Sequence, residues 1–133
     1  MSDLKGKSIG ALGKATGVNI ETIRYYERIG LLPEPDRTPA GYRQYGPEHL
    51  RRLSFIRKGR DLGFQIEDIR ALLRLAEHPE TPCQDADRMA AAHLVEVERK
   101  IAELGRLRDA LREMTDCCAD TVAECRIIDA LAS

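Results

Sequence analysis

The sequence predicts a mainly α-helical fold: a winged helix-turn-helix, a helical hairpin linker, a long helix that pairs as an antiparallel coiled coil, and a C-terminal loop. Three observations predict it. Two short helix patterns near the N-terminus are joined by a glycine-bearing turn. An uninterrupted helical pattern without proline runs through residues 83–118. The cysteines all lie at the two ends of that long pattern.

Length and composition bound the class of protein. With 133 residues, 43% of them hydrophobic, the chain is long enough for one domain and an oligomerisation arm. It has no run of about 18 apolar residues, and its first residues lack the apolar core of a signal peptide. We therefore expect a cytoplasmic protein, whose thiols stay reduced and serve in metal ligation or redox sensing rather than in disulfides.

The small net charge of −1 hides an asymmetry along the chain. Residues 1–75 carry a net charge of +5, whereas residues 76–133 carry −6. A basic front half is typical of a nucleic-acid surface, and an acidic rear half suits cations rather than phosphates. No paired catalytic carboxylates and no nucleophile–base set are visible in the sequence, so we do not expect an enzyme.

The first element is a helix that Ser8 caps and Gly17 ends. After a tight turn, Asn19 caps a second helix, expected over residues 20–29, which ends at Gly30. A short helix, a glycine-bearing turn and a second helix make a helix-turn-helix. An ordinary hairpin of two helices with solvated charges fits the same pattern, and this motif alone leaves both interpretations open.

The second helix divides into an inner and an outer side. Ile20, Ile23 and Glu27 fall near one face, and Ile23 is the expected core contact. Threonine, arginine and tyrosine side chains on the other side are suited to bases and phosphates in a major groove. The residues left for such outward contacts are Thr22, Arg24, Tyr25 and Arg28.

A short hairpin follows the second helix. Two extended segments flank a Pro-Ala-Gly turn at residues 39–41, which predicts two antiparallel strands, a wing. Tyr45 is expected to pack on the small core, whereas other wing side chains are expected to grip the DNA backbone. The full set of predicted DNA-contacting residues is Lys14, Thr22, Arg24, Tyr25, Arg37, Tyr42 and Arg43.

Two further helices are predicted to form a hairpin connector. Pro47 stands at an early position of the first of them, where proline is well tolerated, and residues 61–64 break that helix. The second is expected over residues 65–76. A linker with two prolines, residues 78–82, then leads to the long helix.

The long helix presents one apolar seam, which is broken at Arg108. Cys83 and Cys118 are 35 residues apart, so a helix separates them by roughly 50 Å and one chain cannot bring both to one ion. Two helices packed antiparallel in a two-fold dimer bring Cys83 of one chain to Cys118 of the other, and the C-terminal loop adds Cys125. A plain coiled coil with unrelated cysteines is the alternative. The seam residues are Leu94, Val97, Ile101, Leu104, Leu111 and Met114.

The chemistry of the predicted thiol cluster limits which metal ions it can bind. Thiolates are soft donors, so magnesium and calcium are excluded. Three thiolates suit cadmium, lead or mercury, whereas zinc prefers four ligands, and Cys117 or a water could be the fourth. His78 and His93 are further candidate ligands, but His93 lies ten residues into the long helix, where we expect a surface or core residue instead.

The run IGALGKATGVNIETIRYYERIGLLPEPDRTPAGYRQY resembles the DNA-binding domain of the MerR family of bacterial regulators, with TIRYYE, GLL and GYRQY in that order. The resemblance extends through the long helix into the cysteine-containing C-terminal segment. It implies a homodimeric activator that binds double-stranded promoter DNA whose spacer between polymerase elements is too long. The resemblance also implies that effector binding makes the dimer bend and undertwist this DNA, so that RNA polymerase, its partner through the promoter DNA, can align both elements.

The cysteines resemble those of the divalent-metal-sensing branch, which includes sensors of the CadR, ZntR, PbrR and MerR types. Cys83 stands where those members carry a cysteine and copper(I) sensors carry serine. The spacing of Cys118 and Cys125 resembles the cadmium branch, and the adjacent Cys117 and Cys118 resemble the zinc sensor. A loop histidine of the zinc sensor and the His-rich tail of the cadmium sensor are absent. The expected cofactor is one divalent soft metal ion (Cd²⁺, Pb²⁺, Zn²⁺ or Hg²⁺) on Cys83, Cys118 and Cys125, with two such clusters per dimer.

The predicted domain boundaries follow from these elements. Residues 7–46 form the winged helix-turn-helix DNA-binding domain and residues 47–82 the helical hairpin connector. Residues 83–116 form the dimerisation helix, and residues 117–133 the metal-binding loop with a short C-terminal helix. A thiol redox-sensing regulator of the same fold is the alternative function. A drug-binding regulator is disfavoured, because the segment after residue 116 is short and has no aromatic residue.

Overall fold

The computed structural model describes residues 7–115 and 121–133 and is mainly helical, as the sequence predicts. The chain divides into two compact units, one ending at Ala86 and the other beginning at Asp87. The elements, in chain order, are α1 (Ile9–Thr16), α2 (Ile20–Arg28), β1 (Asp36–Arg37), β2 (Arg43–Gln44), α3 (Pro47–Asp61), α4 (Ile66–Ala76), α5 (Gln84–Thr115), a 3-10 turn (Val122–Glu124) and α6 (Arg126–Ala132).

Local capping confirms the predicted helix-turn-helix. The Ser8 hydroxyl accepts a hydrogen bond from the Ala11 N–H at 3.1 Å, and the Asn19 side chain accepts one from the Glu21 N–H at 2.7 Å. Gly17 ends α1 in the left-handed conformation, with φ of 74°. At Gly13 the chain approaches itself closely, because an added Cβ would lie 2.8 Å from the Val18 carbonyl oxygen.

The wing is a two-stranded antiparallel hairpin in which Asp36 pairs with Gln44 and Arg37 with Arg43. Gly41 has φ of 92° and supplies the left-handed position that the turn requires. Beyond the second strand, Tyr45 and Lys7 exchange backbone hydrogen bonds of 2.7 and 2.8 Å. The wing is therefore tied to the segment that precedes α1.

One hydrophobic core holds the first unit together and draws on the helix-turn-helix, the wing and the connector. Tyr45 is 1% exposed, which confirms its predicted place in the core. Tyr26, which we did not predict in the core, is 7% exposed because it lies one turn after Ile23. Ile20 is 38% exposed and lies at the edge. The core residues are Leu12, Ile23, Tyr26, Leu31, Leu32, Tyr45, Leu53, Ile56, Ile69 and Leu73.

Arginines of the connector also bind the ends of the helix-turn-helix helices. Arg57 on α3 donates to the Thr16 carbonyl at 2.9 Å, and Arg70 on α4 donates to the Ile29 carbonyl at 3.0 Å. Helix C-termini leave carbonyls without intrahelical partners, so these bonds satisfy groups that would otherwise need water. The connector is thus joined to α1 and α2 by hydrogen bonds as well as by the core.

The second unit consists of most of α5 followed by α6. None of the residues that the structure describes on α5 is buried, and its predicted seam is open in the single chain, with Leu94 57% and Ile101 62% exposed. Arg126 at the start of α6 donates to the Glu113 carbonyl at 3.1 Å, which holds α6 against the end of α5. Within the described ranges, no helix combines the length and the apolar character needed to cross a membrane.

Candidate nucleic-acid interface and thiol residues

Helix α2 presents the outward side chains that the sequence predicts. Arg24 and Tyr25 are exposed, and the Arg28 guanidinium carbon lies 5.7 Å from the centre of the Tyr25 ring. That distance permits a cation–π contact, which limits the positions open to both side chains. Thr22 is half-buried. Two cations and a phenol therefore share one exposed surface, a combination suited to base edges and phosphates.

The wing places its predicted side chains in different settings. Tyr42 is 74% exposed at the hairpin turn. Arg37 is exposed, and one of its nitrogens donates to the Gly41 carbonyl at 2.8 Å within the hairpin. Arg43 is half-buried and forms an ion pair with Glu27 of α2 at 3.5 Å. Tyr42 is thus open to a ligand, Arg37 is exposed but bonded within the hairpin, and Arg43 contacts a residue of another element.

Lys14, the predicted contact on α1, is exposed beside an open groove of the helix-turn-helix. The groove is also lined by Ser8 and Asn19, the two helix-capping residues. The lysine ammonium and two short polar side chains at helix N-termini can donate hydrogen bonds to phosphate oxygens. Like Lys14, the other six predicted DNA-contacting residues belong to the first compact unit.

The sequence reasoning missed one functional arrangement, the contacts of Glu27. Its side chain is 8% exposed, and its Oε2 atom accepts a hydrogen bond of 2.6 Å from the Tyr45 hydroxyl. Burial, and then the hydrogen bond to Glu27, raise the pKa of Tyr45 to about 12. The inward position of Glu27 on α2 was the available signal, but its partners lie on another element.

We expect Tyr45→Phe to reduce the loss of stability at high pH. The pKa of Tyr45 in the folded protein, about 12, lies above the value of about 10 for an unfolded tyrosine. The stability linked to the neutral phenol is therefore fully present below about pH 10 and is lost as the pH rises through about 12. Thermal unfolding across that window should show a steeper decline for the wild type than for Tyr45→Phe.

The matched control for this measurement is Tyr42→Phe, which removes a hydroxyl from an exposed tyrosine. It should retain the wild-type pH dependence, because Tyr42 is 74% exposed and lies outside the hydrophobic core. Equal pH dependence of stability in wild type and Tyr45→Phe would contradict the raised pKa of Tyr45 in the folded protein.

The predicted metal ligands are only partly described. Cys83 is exposed immediately before α5, and Cys125 is half-buried immediately before α6. Cys117 and Cys118 lie outside the described residues. Within residues 7–115 and 121–133, no three cysteine, histidine, aspartate or glutamate side chains come together as a metal site. The predicted cluster therefore stays a prediction.

Cys83 lies at an apolar cavity of about 370 Å³ in the first unit. His78 lines the same cavity, and its Nδ1 atom lies 3.6 Å from the Glu80 carboxylate. His93, the other histidine considered as a ligand, is half-buried on α5. The apolar lining consists of Phe55, Leu72, Leu75, Ala76, Pro79, Pro82 and Ala86.

Two family models match the chain. The model described as "MerR HTH family regulatory protein" matches residues 7–76, and the model described as "MerR, DNA binding" matches residues 50–114. The first covers the helix-turn-helix, the wing and the connector. The second covers most of the connector and nearly all of α5.

Individual relatives agree with the family models. The mercuric resistance operon regulatory protein of Bacillus cereus is 40% identical over 125 residues, which are 92% of this chain and 95% of the relative. A ZntR homolog, an HTH-type transcriptional regulator of Haemophilus influenzae, is 44% identical over 108 residues, 81% of this chain and 80% of the relative.

A solved structure also matches. The transcription regulator PbrR691 from Ralstonia metallidurans CH34, in complex with lead(II), superposes with a TM-score of 0.78 at 39% sequence identity. The match covers 94% of this chain and 98% of that one.

Proposed function

The chain belongs to the MerR family of helix-turn-helix transcriptional regulators, and we propose that it activates heavy-metal resistance or efflux genes when a divalent soft metal binds its thiolates. It acts as a homodimer on promoter DNA. One observation carries the DNA-binding part: the exposed Arg24, Tyr25 and Arg28 of α2 and the exposed Arg37 and Tyr42 of the wing belong to one compact unit with a common core.

The metal-binding part rests on the cysteines and on the continuity of α5. This helix has 32 residues, and at about 1.5 Å per residue it is about 48 Å long. In an antiparallel dimer, Cys83 of one chain meets Cys118 and Cys125 of the second copy, and each dimer holds two ions. A relative named for mercuric resistance, and a neighbour in complex with lead(II), support a soft divalent metal.

Activation follows from ordering of the C-terminal segment. A bound ion fixes the loop that ends at Cys125, and α6 follows directly. Ile127 and Ile128 on α6 are 38% and 47% exposed and provide an apolar surface that can dock on a connector. The connector transmits this docking to the DNA-reading helices through Arg57 and its bond to α1. Metal then changes the shape of bound DNA while leaving operator affinity nearly unchanged, and RNA polymerase responds to that shape.

Operator titration of Arg24→Ala and Tyr25→Ala tests the assigned DNA surface. A base-reading contact is worth about 1–3 kcal/mol, so each variant should bind its operator roughly 5- to 150-fold more weakly. Arg43→Ala should weaken binding to all sequences and reduce the salt dependence of binding by about one phosphate contact.

Arg106→Ala is the matched control, since it removes the same charge from an exposed position on α5. It should bind the operator as the wild type does. Wild-type affinity of Arg24→Ala, Tyr25→Ala and Arg43→Ala at every salt concentration would show that the DNA surface is assigned wrongly.

A further inference from the structure

The carboxylate of Glu27 joins helix α2 to the wing. Its Oε2 atom accepts the Tyr45 hydroxyl at 2.6 Å, and its Oε1 atom lies 3.5 Å from the Arg43 guanidinium. Tyr45 follows β2 directly, and Arg43 lies on it. The side chain of Glu27 is only 8% exposed. A carboxylate with so little access to water is stable only when neighbouring groups replace its hydration, and both replacements come from the wing.

The two contacts differ in how firmly they hold. The Tyr45 contact is a short hydrogen bond to a side chain that is 1% exposed. The Arg43 contact is an ion pair without hydrogen-bond geometry, and Nη1 of Arg43 is buried with no hydrogen-bond partner among the described residues. Tyr45 therefore fixes the distance between helix and wing, while Arg43 supplies the compensating charge.

Tyr45 is itself fixed independently of Glu27. Its backbone pairs with Lys7, and its ring contacts the His49 ring edge-on, with 5.3 Å between the ring centres. The His49 ring also lies 3.2 Å from the Pro33 carbonyl, in the segment between α2 and the wing. Removal of the carboxylate or of the hydroxyl therefore leaves the tyrosine ring in place and releases only the link to α2.

We propose that Glu27 is a positioning residue for operator recognition, which holds the wing at the spacing from α2 that specific DNA requires. The proposal rests on the proposed function as a DNA-binding regulator. Helix α2 contacts bases, and the wing contacts the backbone. Both engage together only when their spacing matches the groove geometry, so a fixed spacing favours the operator over other DNA. Glu27 itself touches no DNA.

Glu27→Gln separates positioning from general electrostatics. The substitution keeps the side-chain size and removes one negative charge near a DNA surface, so electrostatics alone predicts stronger binding to every duplex. Loss of positioning predicts instead that operator affinity falls about tenfold while non-specific affinity stays equal or rises. A tenfold change is about what the loss of one charge-assisted contact causes. The measurement compares a duplex selected by the wild type from a random pool with a scrambled duplex of equal composition.

Two further variants complete the design. Glu48→Gln removes the same charge from an exposed position at the start of α3 and should leave the ratio of operator to scrambled affinity unchanged. Tyr45→Phe removes only the hydroxyl and should lower that ratio as Glu27→Gln does. Because glutamine keeps an oxygen that can accept the Tyr45 hydroxyl but loses the charge that pairs with Arg43, the double variant should lower the ratio at least as far as Tyr45→Phe alone.

Thermal unfolding of each variant establishes that the binding is measured on folded protein. If Glu27→Gln does not fold, Tyr45→Phe alone decides the question. Equal changes in operator and scrambled affinity, or an unchanged ratio in Tyr45→Phe, would overturn the positioning role. A wild-type protein that shows no sequence preference would overturn the proposed function instead, so the two failures are distinguishable.

Discussion

A heterodimer of Cys83→Ser and Cys118→Ser chains should bind one metal ion and respond to it, whereas neither homodimer should respond. In an antiparallel dimer, one end of the heterodimer keeps Cys83 from one chain with Cys118 and Cys125 from the other. The opposite end has serine at both substituted positions. Removal of one thiolate takes away a third of the ligands of a three-thiolate site. We therefore expect neither homodimer to bind metal that is supplied in sub-stoichiometric amounts.

The measurement is elemental analysis and metal titration of the reduced, purified heterodimer, with its chains carrying two different affinity tags. The wild-type dimer, which should bind two ions, is the reference. A site formed within one chain leaves the heterodimer with no intact cluster, so a metal stoichiometry of zero would refute the arrangement between chains. A transcriptional response that follows an oxidant and survives strong chelation would support the redox alternative.

Ile101→Glu should dissociate the dimer. Ile101 lies in the middle of the seam of α5 and is 62% exposed in the single chain, so a second copy is needed to cover it. A buried, unpaired carboxylate costs several kcal/mol, and a two-fold dimer carries the substitution twice. We expect the dissociation constant to rise by at least ~100-fold, as measured by sedimentation over a range of protein concentrations.

Ala102→Glu is the matched control for dimerisation. It adds the same charge one residue further along α5, at an exposed position outside the seam. This variant should remain a dimer with the wild-type dissociation constant. A wild-type chain that sediments as a stable monomer at micromolar concentration, or an Ile101→Glu chain that stays dimeric, would disprove the predicted assembly.

The sequence by itself determined the elements and their order, because their signals are local. Ser8 and Asn19 cap α1 and α2 as predicted, and both bonds join residues two or three positions apart. Gly17 and Gly41 occupy the left-handed positions that end a helix and close the wing. The uninterrupted helical pattern without proline through residues 83–118 predicted the long helix, which is observed as Gln84–Thr115. Periodicity and capping depend on neighbours in the chain, so one sequence is enough to find them.

The tertiary structure alone decided which residues from separate elements meet. Periodicity placed Glu27 on the inner side of α2, but its partner Tyr45 is 18 residues away along the chain. Arg57 and the Thr16 carbonyl that it binds are 41 residues apart. No local pattern encodes such pairs, because they depend on how the wing and connector pack on one shared core. Burial then turns an ordinary glutamate into the link between helix and wing, since a carboxylate removed from water needs partners.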